Sequence, residues 1–485
     1  MKKGDIVAGT VEKVSFPNRG TVLLEDGSRL MVKNVVPGQK IEARVTHLRR
    51  NKGEGNLVSV LEKSSLEQDP QCPHFGTCGG CVWLSMKYEA ELEMKADQVR
   101  ALLVQAAAEA GLPEIPFEGI LPSPKVYEYR NKMEFTFGDA FKGGPMEIGM
   151  HRRGGFYDIV TVSGCRLVDE DYRRIISFTK SYFGPLCENG TVKPYHRMNH
   201  TGDLRHLLVR KAANTGEILI DLVTAPLPED ASPEEKERRR QVITGFAEEL
   251  AGLRLDGSIA GILHTENAAL SDTIRDDGTE ILYGRAGFDE KLLGLTFTVT
   301  PFSFFQTNSK SAELLYTTAR NMIRETGVLS GEKPVIFDLY SGTGTIAQML
   351  SPEAREVVGV EIVEEAVEAA KLNAERNGIA NCSFIAGDVL KVLDELDKKP
   401  DFIVLDPPRD GIHPKALPKL VSYGVPYILY ISCKATSLAR DIPEFAKGGY
   451  VPERVVAVDQ FPHTANVECI ALLQRMSGTS EKTMI

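Results

Sequence analysis

Four apolar runs, each carrying an acid at or near its end, recur through the last third of the chain: Val335–Leu339 with Asp338, Glu356–Glu361, Ser383–Asp388 and Phe402–Asp406. Runs this short, without polar alternation, predict strands buried on both faces of a parallel sheet. The first breaks at once into Ser341-Gly342-Thr343-Gly344. Two glycines two apart let the backbone turn sharply and approach a ligand with no Cβ in the way. Glu361 follows them near the ~20-residue offset at which a nucleotide-binding fold sets a carboxylate on ribose hydroxyls. A fifth run, Tyr427–Ser432, delivers Cys433 to the carboxyl end of the sheet, where ligands bind in open α/β folds. Ser432, Lys434 and the helix that follows are placed to lower the pKa of that thiol. A last strand, Ile470–Leu473, is entered through Glu468, a candidate base. The pattern predicts a nucleoside-binding α/β domain.

Upstream the periodicity changes twice. Residues 4–62 hold five short β-rich runs separated by turn signals such as Glu25-Asp-Gly27 and Val36-Pro-Gly38, which predicts a small OB-like barrel. From Trp83 to Ala110 the apolar positions Leu84, Tyr88, Leu92, Ala96, Val99, Leu103 and Ala106 share one face, so a helix is expected, ended by Gly111. Strands then follow at Lys132–Phe137, Glu147–His151, Leu204–Arg210 and Glu217–Val223, and again near 258–264 and 295–300. Ser232-Pro-Glu-Glu235 opens a helix with a capping box. Phe302-Ser-Phe-Phe-Gln306-Thr-Asn308 precedes another helix over 309–326, and its aromatics and amides could grip a planar ring. The chain is therefore expected to divide into a barrel over 1–63, an α+β middle domain over 70–300 and the α/β domain over 301–485.

Charge narrows the choice of partners. The chain carries a net charge of −10, yet residues 1–63 hold twelve Lys/Arg against seven Asp/Glu. Nucleic-acid binding would be local, with Lys33, Arg44, Arg49, Arg50 and Lys52 of the barrel as phosphate contacts. Arg130, Lys132, Arg152, Arg153, Arg205 and Arg210 punctuate the middle strands as further contacts or as a solvated face. No apolar run approaches a membrane span and the first residues do not read as a signal peptide, so a cytoplasmic protein without a membrane partner is expected.

Eight cysteines in such a compartment need an account other than disulfides. Cys72, Cys78 and Cys81 fall within ten residues, as metal ligands do. A fourth ligand would come from Cys165, Cys187, Cys382 or His74. Four thiolates suit zinc or a [4Fe–4S] cluster, and the asymmetric spacing points to iron–sulfur.

Taken in order, these motifs resemble the RNA (uracil-5-)-methyltransferase family, specifically its ribosomal-RNA branch. The match rests on Cys72-x5-Cys78-x2-Cys81 with Cys165, Phe304-Phe-Gln306-Thr-Asn308, Asp338-Leu-Tyr-Ser-Gly-Thr-Gly344, Asp406-Pro-Pro-Arg409, Ser432-Cys433 and His463-Thr-x-x-Val-Glu468. Lys434-Ala435 and Asn466 depart from the family's usual residues, and neither is a reacting group. The resemblance implies a TRAM barrel, a [4Fe–4S] cluster on Cys72, Cys78, Cys81 and Cys165, and a Rossmann-like class I methyltransferase domain. It implies that Cys433 is the nucleophile and Glu468 the general base. It sets Gln306, Tyr340, Gly342, Glu361, Asp388 and Asp406 around S-adenosylmethionine and the target base. The implied activity is formation of 5-methyluridine in 23S rRNA by a monomeric enzyme.

Three other activities compete with that one. A tRNA uracil would need the same chemistry. Amino-group methylation of a purine would leave Cys433 unused and put Arg409 where an aromatic is expected. A non-catalytic iron–sulfur protein binding RNA or assisting ribosome assembly would need neither Cys433 nor Glu468.

Overall fold

The computed structural model describes residues 1–49, 52–155, 157–271, 273–329, 331–396 and 398–476, and for Arg49 and Lys52 the backbone only. Arg50, one of the expected phosphate contacts, lies outside the described residues. The chain groups into two compact units: residues 1–70, 82–124 and 311–485 form one, and residues 71–81 and 125–310 the other. This differs from the three consecutive segments expected, for a physical reason given below.

The first unit begins with a closed barrel in the order β1-β2-β3-β5-β4, with β1 Ile6–Ser15, β2 Arg19–Leu24, β3 Arg29–Val32, β4 Lys40–Arg49 and β5 Lys52–Glu62. Its core of Val11, Val22, Leu30, Val32, Ile41 and Val45 is completed by Trp83, Met86 and Met94. The last of these lies on helix α1, Tyr88–Ala110, whose carboxyl end is capped by left-handed Gly111 as expected. The helix starts at Tyr88 rather than Trp83. Its buried face also carries Glu91, Lys95 and Gln98, which an apolar periodicity cannot show. Gln98 Nε2 donates to the Val14 carbonyl of the barrel at 3.0 Å. Strand β6, Phe117–Leu121, joins the sheet of the carboxyl-terminal residues by pairing with a strand described below. Helix and strand are thus claimed by the first unit, and this moves the boundary.

The second unit is built on a seven-stranded sheet with α2 (Glu170–Glu188) and α3 (Pro233–Ala251) packed on it. Its strands are β7 Lys132–Asp139, β8 Met146–His151, β9 Ile159–Thr161, β10 Leu204–Lys211, β11 Glu217–Thr224, β12 Ser258–Glu266 and β13 Thr279–Gly284, ordered β13-β12-β11-β10-β7-β8-β9. The capping box of α3 is present. A hairpin of β14 (Phe288–Leu292) and β15 (Leu295–Val299) follows. Arg205 and Arg210 are buried. Arg210 donates to the carbonyls of Thr300, Pro301 and Ser303, and Arg205 to those of Asn267, Ala269 and Ser271. They brace loops and are not phosphate contacts.

Helix α4 (Ser309–Glu325) leads into the remaining strands: β16 Val335–Leu339, β17 Glu356–Glu361, β18 Cys382–Ala386, β19 Phe402–Leu405, β20 Tyr427–Ser432, β21 Tyr450–Val458 and β22 Glu468–Arg475. Connecting helices are α5 Thr345–Leu350, α6 Glu364–Arg376, α7 Val389–Glu395, α8 Ala416–Ser422 and α9 Ala435–Lys447. The sheet order is β18-β17-β16-β19-β20-β22-β21-β6. From β16 the chain winds first toward β18 and then back toward β20, so the switch point that opens a ligand crevice lies between β16 and β19. Strand β22 runs antiparallel to β20.

Candidate active site

The register of the sheet assembles the site. Leu339 of β16 faces Leu405 of β19, and Leu405 faces Tyr430 of β20, so Tyr340 and Asp406 leave adjacent strand ends on either side of the switch point. Ser432 is the last residue of β20 to pair, and its partner is Cys469. Because β22 runs the opposite way, the next residue of β20 and the first of β22, Cys433 and Glu468, come out of the ladder side by side. Residues 35 apart in sequence are joined by strand direction alone.

Burial and like charge raise the pKa values of the acids and the thiol at this site. Glu468 is 3 % exposed, and loss of hydration together with the Asp406 carboxylate pushes it up to about 8, against a lowering by Arg409. Asp406 is raised to about 7 by burial. Burial, Glu468 and Asp406 push the Cys433 thiol up to about 11, with Arg409 and the residue's own N–H acting the other way. This corrects the expectation of a lowered thiol pKa: acids brought in from β19 and β22 outweigh the local dipoles. Arg409 is the cation of the site, and sequence reasoning gave it no role there. Its position directly after Asp406-Pro-Pro was the available signal. The Arg409 carbonyl accepts from Ser437 Oγ of α9 at 2.7 Å, and Arg440 donates to the Asp410 carbonyl, so the helix after the thiol fixes the loop after the acid.

The glycine turn fits a nucleoside-bearing ligand. Gly342 has φ 51°, and a Cβ there would meet no atom within 4 Å, so its backbone faces open space. Gly344, at φ 74°, is needed for packing, since a Cβ would lie 2.6 Å from Phe384. Tyr340 holds a left-handed φ of 67° without being glycine, the kind of strain found at binding sites. Glu361 accepts the N–H of Gly342 and of Val363, each at 3.0 Å, which aims its carboxylate along the turn. Beneath the turn Asp338 accepts from the Ala347 N–H at 2.9 Å, and burial beside Asp406 raises it to about 8. Asp388 caps α7 through the Leu390 N–H at 2.8 Å, and burial together with that carboxylate raises the Tyr340 phenol. Gln306 belongs to the second unit, buried there, with its carbonyl accepting from Asn131 Nδ2 at 2.9 Å.

The second unit also gathers the thiols. Cys72, Cys78, Cys81 and Cys165 influence one another electrostatically. Burial and its neighbours raise Cys165 to about 11 and Cys81 well above an ordinary thiol. Cys187 and Cys382 are raised by burial and carboxylates alone. His74 is engaged elsewhere, its Nε2 accepting from the Gly164 N–H at 3.0 Å. The thiols receive N–H donors: Gly80 on Cys78, and Leu167 and Val168 on Cys165. Arg153, stacked over Phe75 and donating to the Cys81 carbonyl, places a cation beside Cys78 and Cys81. Among the described residues no group of three or more His, Cys, Asp or Glu is arranged to hold a metal ion.

Comparison with known proteins identifies the family. Residues 294–476 match the family described as tRNA (Uracil-5-)-methyltransferase. An uncharacterized RNA methyltransferase of Clostridium tetani is 43 % identical over 98 % of this chain and 99 % of its own. One from Caldanaerobacter subterraneus is 42 % identical over 98 % of this chain and 100 % of its own. The crystal structure of Pyrococcus abyssi tRNA (uracil-54, C5)-methyltransferase in complex with S-adenosyl-L-homocysteine superposes with a TM-score of 0.72, at 25 % identity, over 96 % of this chain and 99 % of that one. The chain belongs to the S-adenosylmethionine-dependent RNA uracil-5-methyltransferase family, and its carboxyl-terminal sheet is the Rossmann-like methyltransferase fold.

Proposed function

We propose that this protein forms 5-methyluridine in 23S rRNA, with Cys433 as nucleophile and Glu468 as general base. The observation that carries the chemistry is the emergence of those two side chains together at the β20/β22 end. Uracil C5 is a poor nucleophile until Cys433, its thiol proton passing to water, adds to C6 as the thiolate, which moves the ring's electron pair toward O4 and C5. Bound S-adenosylmethionine would supply the methyl group, its S–CH3 bond breaking as the C5 pair takes the carbon and S-adenosylhomocysteine remaining as the leaving group. Glu468 then takes the C5 proton, the pair re-forms the 5,6 double bond, and the Cys433 thiolate leaves. A carboxyl raised to about 8 is matched to that proton transfer near neutral pH. Tyr340, Gly342, Glu361 and Asp388 would hold the cofactor, and Asp406 the uracil edge. A paired uracil would have to be flipped out to reach the thiol.

The same reading assigns a [4Fe–4S] cluster to Cys72, Cys78, Cys81 and Cys165, on the support of their mutual electrostatics and N–H donors. It treats the amino-terminal barrel as a TRAM module that binds phosphates. A tRNA substrate is the second reading, favoured by the likeness to the Pyrococcus abyssi enzyme across 96 % of the chain. Methyl-labelled cofactor offered with unmodified 23S rRNA and with tRNA tests both. Labelled 5-methyluridine should appear in the rRNA digest. Label confined to tRNA selects the second reading, and no labelled 5-methyluridine from either overturns both.

A further inference from the structure

Glu468 follows a stretch, residues 459–467, that has no helix or strand of its own. The Glu468 backbone pairs with Val458 of β21, and the stretch that links these two paired residues is fixed by buried side chains. Lys95 Nζ lies 2.7 Å from both Glu91 and Asp459, and it donates to the Phe461 carbonyl at 3.3 Å. Tyr88 donates to the other Asp459 oxygen at 2.9 Å. One Glu91 oxygen accepts the His463 N–H at 2.7 Å, and the other lies 3.1 Å from His463 Nδ1. The His463 carbonyl accepts from Val82 and Trp83 at 2.8 and 3.3 Å. The side chains of Glu91, Lys95, Asp459 and His463 are all 0 % exposed. His463 is held at φ 66°, a left-handed conformation that a non-glycine residue keeps only where its surroundings over-determine it.

We propose that Glu91 and Lys95 of α1, acting through Asp459 and His463, are positioning residues for Glu468. The inference rests on the assignment of Glu468 as base. Two carboxylates, an ammonium and an imidazole buried together are a poor way to gain stability, because desolvation offsets most of their attraction. They are a good way to select one arrangement of a loop, since any other leaves a buried charge unpaired. Residues 469–474 are held by pairing with β20 and β21 on both sides, whereas Glu468 is paired on one side only, with Val458, the residue before Asp459 of the network. Loosening the network therefore lets the Val458–Glu468 end of this ladder shift while leaving the rest of the sheet, the thiol and the cofactor turn in place.

Glu91→Gln tests this, since it keeps an acceptor for the His463 N–H but removes the charge facing Lys95. It should bind S-adenosylhomocysteine and RNA as the unaltered protein does, and its kcat should fall roughly tenfold to a hundredfold, as small misplacements of reacting groups bring about. Its distinguishing mark is an increased fraction of methylated RNA covalently attached to protein in quenched reactions, because slowed proton removal leaves the adduct waiting. A normal kcat, or a fall in kcat without extra adduct, overturns the proposal. If Glu91→Gln fails to bind S-adenosylhomocysteine, His463→Asn decides on the same readouts, since Asn tolerates the left-handed backbone. Glu468→Gln run alongside separates the two claims. Adduct trapped by Glu468→Gln but not by the network variants overturns positioning alone, whereas normal turnover by Glu468→Gln removes the base assignment and this proposal with it.

Discussion

Cys433 and Glu468 make separable contributions, and their failures should look different. Cys433→Ala has no sulfur to add at C6, so neither methyl transfer nor a covalent RNA complex is expected. Glu468→Gln can still add and methylate, so it should accumulate a labelled protein–RNA band that survives denaturing electrophoresis. Absence of that band, or an adduct with Cys433→Ala, would reverse the roles. Both residues were legible as a thiol and an acid at strand ends. The direction of the thiol's pKa was not, because the acids that raise it arrive from other strands. A thiol pushed up to about 11 is protonated across the neutral range. Iodoacetamide labelling of Cys433 in the free protein, followed by peptide mass spectrometry, should keep accelerating above pH ~9.5, where an ordinary thiol with a pKa of about 8.5 has levelled off. Arg409→Ala should slow labelling further at any given pH, since it removes the cation that favours the thiolate. Levelling at the pH of an ordinary thiol would contradict the burial argument.

At the scale of elements, the strands that were apolar throughout were read within a residue or two, and the capping box marked α3 correctly. Strand β21 was missed because Pro452, Glu453 and Arg454 interrupt its apolar run. The structure accommodates them with a register shift between Pro452 and Arg454. Helix α1 was found but its role was not, since Glu91, Lys95 and Gln98 read as solvent-facing in any hydropathy pattern. Its packing changes how the barrel can be tested. Removing residues 1–62 would strip the barrel from Trp83, Met86 and Met94 and expose them, so a deletion would report stability as much as RNA binding. Exposed Lys33 and Arg44 can instead be neutralised without touching that core. Lys33→Ala with Arg44→Ala should weaken RNA binding and make the slope of log affinity against log salt shallower by roughly 1.5, at about 0.7–0.9 for each phosphate no longer neutralised. Affinity for S-adenosylhomocysteine should stay the same. An unchanged slope would assign phosphate binding to other residues.

At the scale of the whole molecule, the chain order hides the organisation. Residues 71–81 belong with residues 125–310, while the segment between them, 82–124, belongs with the barrel and the methyltransferase sheet. The cysteine motif could be read from its spacing, but spacing alone left four candidates for its fourth member, and the family resemblance pointed to Cys165. In the fold Cys165 shares an electrostatic environment with Cys72, Cys78 and Cys81, Cys187 stands among carboxylates, Cys382 lies in the other unit, and His74 is bonded to Gly164. Burial and neighbouring thiols raise Cys78, Cys81 and Cys165, so without a metal these three resist ionising together. A cluster that draws on all four as thiolates relieves that cost, with Arg153 offsetting their charge. Protein purified without oxygen should then be brown, with about four irons per chain. Cys165→Ser should lose the colour and the iron, and Cys187→Ser should keep both. Zinc in place of iron, or iron retained by Cys165→Ser, would overturn the assignment.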